Sequence, residues 1–208
     1  MGENVINNTR RKRRWKVIFG ILVLLTVMVL VYALPYHHAV LPDDYGTDGL
    51  VTVTKMNSGW LFDGAGDDQA MIFYPGAKVD SMAYAPLMWE LAEEGLDCYL
   101  VDMPFHLAFF GIGRAGKIMK ECTYDTWYMG GHSLGGAMAA NYAAAHLDAV
   151  HGLLLLAAYP TRTLRGENLH VLTIYGSEDD VLNLERLRAA RKLLPEDAVE
   201  IVLEGGNH

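Results

Sequence analysis

A serine with glycines two residues before and two residues after it, Gly131-His132-Ser133-Leu134-Gly135, constrains this chain more than any other stretch. The strand-like run Trp127-Tyr128-Met129 leads into it, and the alanine-rich stretch Ala137 to His146, with good intrinsic helix propensity, follows. Strand, sharp turn and helix force the serine into a strained backbone conformation, and the glycines let strand and helix pack closely around it. The hydroxyl is then held out above the edge of a sheet. With four serines and 21 glycines in 208 residues, chance alone yields roughly 0.04 such matches. The competing reading is a Gly-rich turn that only packs a helix on a sheet.

The rest of the chain alternates. Leu50 to Lys55 and Trp60 to Phe62, turned by Asn57-Ser58-Gly59, predict an N-terminal antiparallel hairpin. Ala70 to Tyr74 is a continuous apolar run of the kind found in a strand buried on both faces. Helices are predicted over Ala83 to Glu94, Ile112 to Glu121, Leu134 to His146 and Leu184 to Leu193, and strands over Cys98 to Val101, His151 to Leu156, Val171 to Tyr175 and Ala198 to Leu203. Strand and helix in turn imply an α/β fold: a mostly parallel central sheet, helices on both faces, and functional loops at the carboxyl ends of the strands.

The front of the chain reads differently. Six of the 17 Lys and Arg residues lie before Val17, and the next one is Lys55. Between them, Val17 to Leu34 is an uncharged run of 18 residues, near the ~20 that cross a bilayer as a helix. Trp15 and Tyr36 suit the two interfaces. The domain plan is therefore a basic cytoplasmic tail over 1–14, a single transmembrane anchor over 15–36, a linker over 37–49 and an α/β domain over 50–208 facing outward. A cleaved signal ending near Val31-Tyr32-Ala33 is the alternative, although the apolar run exceeds the ~7 to 15 residues of a signal core. The net charge is −8 and the basic residues concentrate in the tail, so the outward part is acidic, which argues against a nucleic-acid partner. Cys98 and Cys122 are too few for a disulfide framework and read as small buried apolar groups.

A serine needs a base in reach and a group that orients the base. Tyr175-Gly176-Ser177-Glu178-Asp179-Asp180 follows one strand and Glu204-Gly205-Gly206-Asn207-His208 follows the last, so a carboxylate and an imidazole are expected on the same sheet edge as Ser133. Asp180 competes with Asp179 as the orienter, and Asp179 has the simpler option of capping the helix near Leu184.

Through Tyr74-Pro75-Gly76-Ala77, Gly131-His132-Ser133-Leu134-Gly135-Gly136, Gly176-Ser177-Glu178-Asp179 and Gly205-Gly206-Asn207-His208, the chain from about residue 48 to 208 resembles the α/β-hydrolase superfamily. The likeness is to small bacterial membrane-anchored members related to dienelactone-hydrolase and lipase-like proteins. The resemblance implies a serine esterase with Ser133 as nucleophile, His208 as general base and Asp179 as orienting acid, an oxyanion hole made by the backbone N–H groups of Leu134 and Ala77, and no cofactor. Relatives continue past the histidine whereas this chain stops on it, so a C-terminally truncated domain with a poorly placed His208 and an uncovered apolar last strand is expected.

Other residues carry two readings each. His132 is expected to point away from the pocket and pack. His106 and Phe105, with Phe109, Phe110 and Tyr159, follow strand ends and are read either as substrate-binding residues of an apolar acyl pocket or as core. Only a short segment separates Leu156 from Val171, so the site is expected to be open and to take a small-molecule or surface-presented acyl substrate. No spacing points to a metal. The function expected is a membrane-anchored hydrolase of an ester or related acyl bond. An acyltransferase or peptidase on the same triad, or a non-catalytic surface-displayed binding domain, are the alternatives.

Overall fold

β1 (Thr52–Met56) and β2 (Gly59–Asp63) form the expected hairpin, paired antiparallel from Thr52↔Asp63 to Met56↔Gly59. A computed structural model describes residues 2–33, 35–41, 49–66, 68–166 and 168–208, with the side chains of 2–11, 13 and 30–33 outside that description. The chain divides into two units, Met1–Pro35 and Tyr36–His208.

The first unit is the helix α1 (Gly2–Ala33). Among the described residues, no helix is long and apolar enough to cross a membrane. The expected span runs into residues 30–34, which fall outside the described side chains, so the transmembrane reading is not shown here. The linker's residues 42–48 also lie outside the described residues.

In the second unit, six further strands follow: β3 (Gln69–Tyr74), β4 (Asp97–Val101), β5 (Thr126–His132), β6 (Gly152–Leu156), β7 (His170–Gly176) and β8 (Val199–Leu203). They form one sheet in the order β1-β2-β4-β3-β5-β6-β7-β8, parallel from β4 to β8. The helices are α2 (Ala85–Glu93), α3 (Arg114–Glu121), α4 (Leu134–Ala143) and α5 (Leu184–Ala190). Every strand and helix of the sequence reading is present, with ends moved by a few residues. The helix expected to reach His146 stops at Ala143, where the His146 ring turns back onto the Tyr142 carbonyl at 2.9 Å and ends the run.

The period of two in an extended chain explains why β3 is apolar throughout. Ala70, Ile72 and Tyr74 pack with the face that holds α3 and α4, while Met71 and Phe73 pack with the α2 face, against Ala85, Met88 and Trp89. Ile72, Phe73 and Tyr74 are fully buried, and burial of each such side chain is worth about 1.5–3 kcal/mol. The Tyr74 hydroxyl is satisfied inside the core: it donates to the Ile112 carbonyl at 2.7 Å and accepts from the Ala115 amide at 3.1 Å, which ties the start of α3 to the central strand. Burial pushes that phenol well above its ordinary pKa, so it stays a neutral donor.

The outer strand β8 is covered less. Val199, Ile201, Val202 and Leu203 are exposed, as expected for a last strand with nothing packed over it, and a shallow apolar groove of about 720 Å³ runs between Met71, Tyr128, Leu154 and Ile201. The Tyr175 hydroxyl donates to Glu200 at 2.8 Å and Arg191 pairs with the same carboxylate, fastening this edge. Cys98 and Cys122 are free thiols; Cys98 is buried as expected, whereas Cys122 is only partly buried.

Candidate active site

Ser133 follows β5 and caps α4 with φ 52° and ψ −121°, a sparsely populated conformation for a residue with a side chain. Its amide N–H donates to the Leu156 carbonyl of β6 at 2.9 Å, which holds the turn to the neighbouring strand. The flanking glycines answer a close approach of backbones. A Cβ on Gly135 would stand 2.1 Å from the Tyr74 carbonyl oxygen, and one on Gly131 2.6 Å from the Gly135 carbonyl carbon. Neither can be relieved by moving a side chain. The start of α4 is thereby pressed against the end of β3, and Leu134, as the first residue of the helix, has an amide N–H with no intrahelical acceptor.

β7 and β8 deliver the partners. His208 Nε2 lies 2.9 Å from Ser133 Oγ, and His208 Nδ1 lies 2.8 Å from Asp179 Oδ2. The expected poor placement of His208 is therefore not what the geometry gives. The turn after β8 is stitched to the turn after β7: the Gly205 amide donates to Ser177 Oγ at 2.9 Å and the Glu178 amide to the Gly206 carbonyl at 2.9 Å, which brings the imidazole back over the sheet edge.

Asp179 is buried, and its second oxygen accepts from the amides of Val181 at 2.9 Å and Leu182 at 2.7 Å. Burial alone would raise its carboxyl, but the Leu182 amide, His208 and the Val181 amide together hold it below the ordinary carboxylate value. It is an anion positioned to accept from Nδ1. Asp180, the competing orienter, is exposed, and α5 is capped by Asn183, whose side chain accepts from the Arg186 amide, rather than by Asp179.

The turn after β3 carries Ala77. The Gly76 amide donates to the Tyr84 hydroxyl at 3.0 Å, and Lys78 takes φ 59°. Ala77 follows the Tyr74 and Pro75 carbonyls, against which a Cβ on Gly135 would press at 2.1 and 2.3 Å.

His132 departs from its expected orientation. It packs, but beside the imidazole: the two ring centroids are 4.7 Å apart, and His132 Nδ1 lies 2.8 Å from the Tyr84 hydroxyl. Burial, together with the nearby His208, pushes its pKa down to about 4 against an opposing pull from Asp179, so it is neutral near pH 7. Tyr84 is a site-adjacent residue that the sequence reading missed. A tyrosine four residues after a capping aspartate carries no motif, and only the fold brings it to the elbow.

Of the aromatic candidates, Phe105, Phe109 and Phe110 are about half exposed and form a surface cluster, with centroids of 5.6 Å for Phe105–Phe110 and 4.2 Å for Phe109–Phe110. They are not core. The His106 ring is half-buried and stacks on Tyr36 at 3.7 Å. Tyr159 borders a very small cavity with Thr173 and Leu187. Between β6 and β7 the described residues hold no helix. Among the described residues, no group of His, Cys, Asp or Glu is arranged to hold a metal ion.

An elbow serine, a strand order of this kind and helices on both faces define the class of α/β-hydrolase folds. The sequence of residues 70–208 matches the alpha/beta hydrolase family, and the chain belongs to it. Among solved structures it is similar to a dienelactone hydrolase from Anabaena variabilis, with 14% identity, a TM-score of 0.65 and coverage of 76% of this chain and 88% of that one. It is also similar to Est1E from Butyrivibrio proteoclasticus (16% identity, TM-score 0.57, coverage 76% and 90%) and to carboxyl esterase 2 from Tuber melanosporum (13% identity, TM-score 0.57, coverage 83% and 82%). At these identities the likeness is one of fold. No curated protein matches the chain by sequence.

Proposed function

We propose that this protein is a serine hydrolase that cleaves an ester or related acyl bond, with Ser133 as nucleophile, His208 as general base and Asp179 as orienting acid. The observation that carries the reading is the unbroken line Ser133 Oγ, His208 Nε2, His208 Nδ1, Asp179 Oδ2, with both contacts under 3 Å. His208 takes the serine proton as Oγ attacks the acyl carbon, and the Leu134 and Ala77 amides stabilise the oxyanion. His208 then returns the proton to the leaving alcohol, and water releases the acyl group by the same route in reverse. Asp179 stays ionised throughout and fixes the imidazole tautomer.

The exposed Phe105 cluster, His106 and Tyr159 are proposed to contact a small or surface-presented acyl substrate, which suits a site without a helical cap. The uncharged run Val17 to Leu34 and its six preceding cations support a further reading: a single-pass anchor with a cytoplasmic N-terminus and an extracytoplasmic catalytic domain. Acyl transfer to another acceptor or peptide cleavage would use the same three residues. A binding domain that kept the elbow only for structure would leave Ser133 unreactive. A fluorophosphonate probe decides between them: the hydrolase reading expects labelling of the full chain that disappears in Ser133→Ala, and a folded but unlabelled wild type overturns it.

A further inference from the structure

The turn that presents Ala77 is gripped from two sides. On the inner side the Tyr84 hydroxyl accepts from the Gly76 amide. On the outer side stands a segment remote in sequence. The His37 amide donates to the Lys78 carbonyl at 2.7 Å, and the Asp80 amide donates to the His37 carbonyl at 2.8 Å, so that His37 and Val79 form a one-rung parallel bridge. The Lys78 amide in turn donates to the His106 carbonyl at 2.8 Å, and the Tyr36 ring lies on the His106 ring at 3.7 Å with 20° between planes.

Three residues in this small region, Lys78, Phe105 and His106, have left-handed backbones, with φ of 59°, 55° and 53°. None is glycine. Such conformations persist where surrounding contacts over-determine them, and here each turn borrows its contacts from the other and from Tyr36–His37. A pocket of about 370 Å³ adjoins the two turns, lined in part by Tyr36, Trp60, Gly76, Asp102 and His106.

We propose that Tyr36 and His37 form a strap that holds the oxyanion turn in its working geometry, which makes Tyr36 a positioning residue for the reaction. The inference rests on the hydrolase reading of Ser133. An oxyanion donor stabilises the transition state only if it is already aimed where charge develops. Gly76 and Lys78 flank the donor, and the strap fixes the second of them. Released from it, the Lys78 carbonyl and the Asp80 amide lose their partner, and the two left-handed turns can relax. Ala77 then loses its aim.

The test is steady-state hydrolysis of p-nitrophenyl acetate by the full chain in detergent, with the rate of fluorophosphonate labelling of Ser133 and the melting temperature measured alongside. Tyr36→Ala is expected to lower kcat at least about tenfold, below the roughly 10²- to 10³-fold cost of losing a donor outright. The labelling rate should fall with kcat, any rise in KM through His106 should be smaller than the fall in kcat, and the melting temperature should hold. Tyr36→Phe, which keeps the ring, restores kcat. Should Tyr36→Ala fail to fold, Tyr36→Leu is read in the same way. Undiminished kcat in Tyr36→Ala beside an active, labelled wild type overturns the strap alone, as does a loss that Tyr36→Phe shares. An unlabelled wild type overturns the hydrolase reading and the strap with it.

Discussion

The Tyr84 hydroxyl lies 2.8 Å from Nδ1 of His132 while accepting from the Gly76 amide at 3.0 Å, so one oxygen joins the residue before Ser133 to the turn that carries Ala77. The His132 ring in this contact is neutral near pH 7, in keeping with its lowered pKa.

Tyr84→Phe removes the bridge and leaves a part-buried amide and an imidazole nitrogen without their partner. A loss of about 1–3 kcal/mol of stability is expected, together with a fall in kcat larger than any change in KM. Urea melts and steady-state kinetics check the two halves.

Asp179→Asn keeps an oxygen for the Val181 and Leu182 amides but no longer holds the His208 tautomer. Turnover is expected to drop by about 10⁴-fold at neutral pH with the fold retained, measured by ester hydrolysis beside circular dichroism. A drop below tenfold would remove Asp179 from the triad.

Acid should weaken the fold in two separate windows. The His132 pKa is about 4 in the folded protein against an ordinary 6.5, so between those values the unfolded chain binds a proton that the folded chain refuses. Stability therefore declines as pH falls from about 6.5 to 4. Asp179 acts later: its folded value lies below 3.8, so its contribution is present above that pH and is lost as pH drops through the folded value. Urea melts at pH 7, 5 and 4 should show a shallower decline for His132→Gln than for the wild type.

Much of this was legible in the sequence because it depends on local period and punctuation. The apolar run of Ala70 to Tyr74 can only be a two-sided strand, and Gly131 and Gly135 mark a turn where backbones nearly touch. The order Ser133, Asp179, His208 at three strand ends anticipated the observed contacts. What was not legible joins residues far apart with no periodic signal. Tyr84 meets His132 across 48 positions, and Tyr36 meets His106 across a longer gap. The left-handed turns at Lys78, Phe105 and His106 were hidden for another reason, since glycine or asparagine usually announces such a backbone. Phe105, Phe109 and Phe110 were ambiguous between pocket and core because an aromatic residue after a strand end suits both, and only their exposure separates the two.

The contact between Ser133 and His208 closes a loop of 75 residues, and the parallel ladder from β3 to β8 must be in register before it can close. Helices and the β1–β2 hairpin form from near neighbours, whereas this contact waits for pairings that are slow to find. In refolding from urea, helical signal should therefore return well before the hydrolysis proposed for Ser133. Catalytic competence is then a clock for the last step of folding.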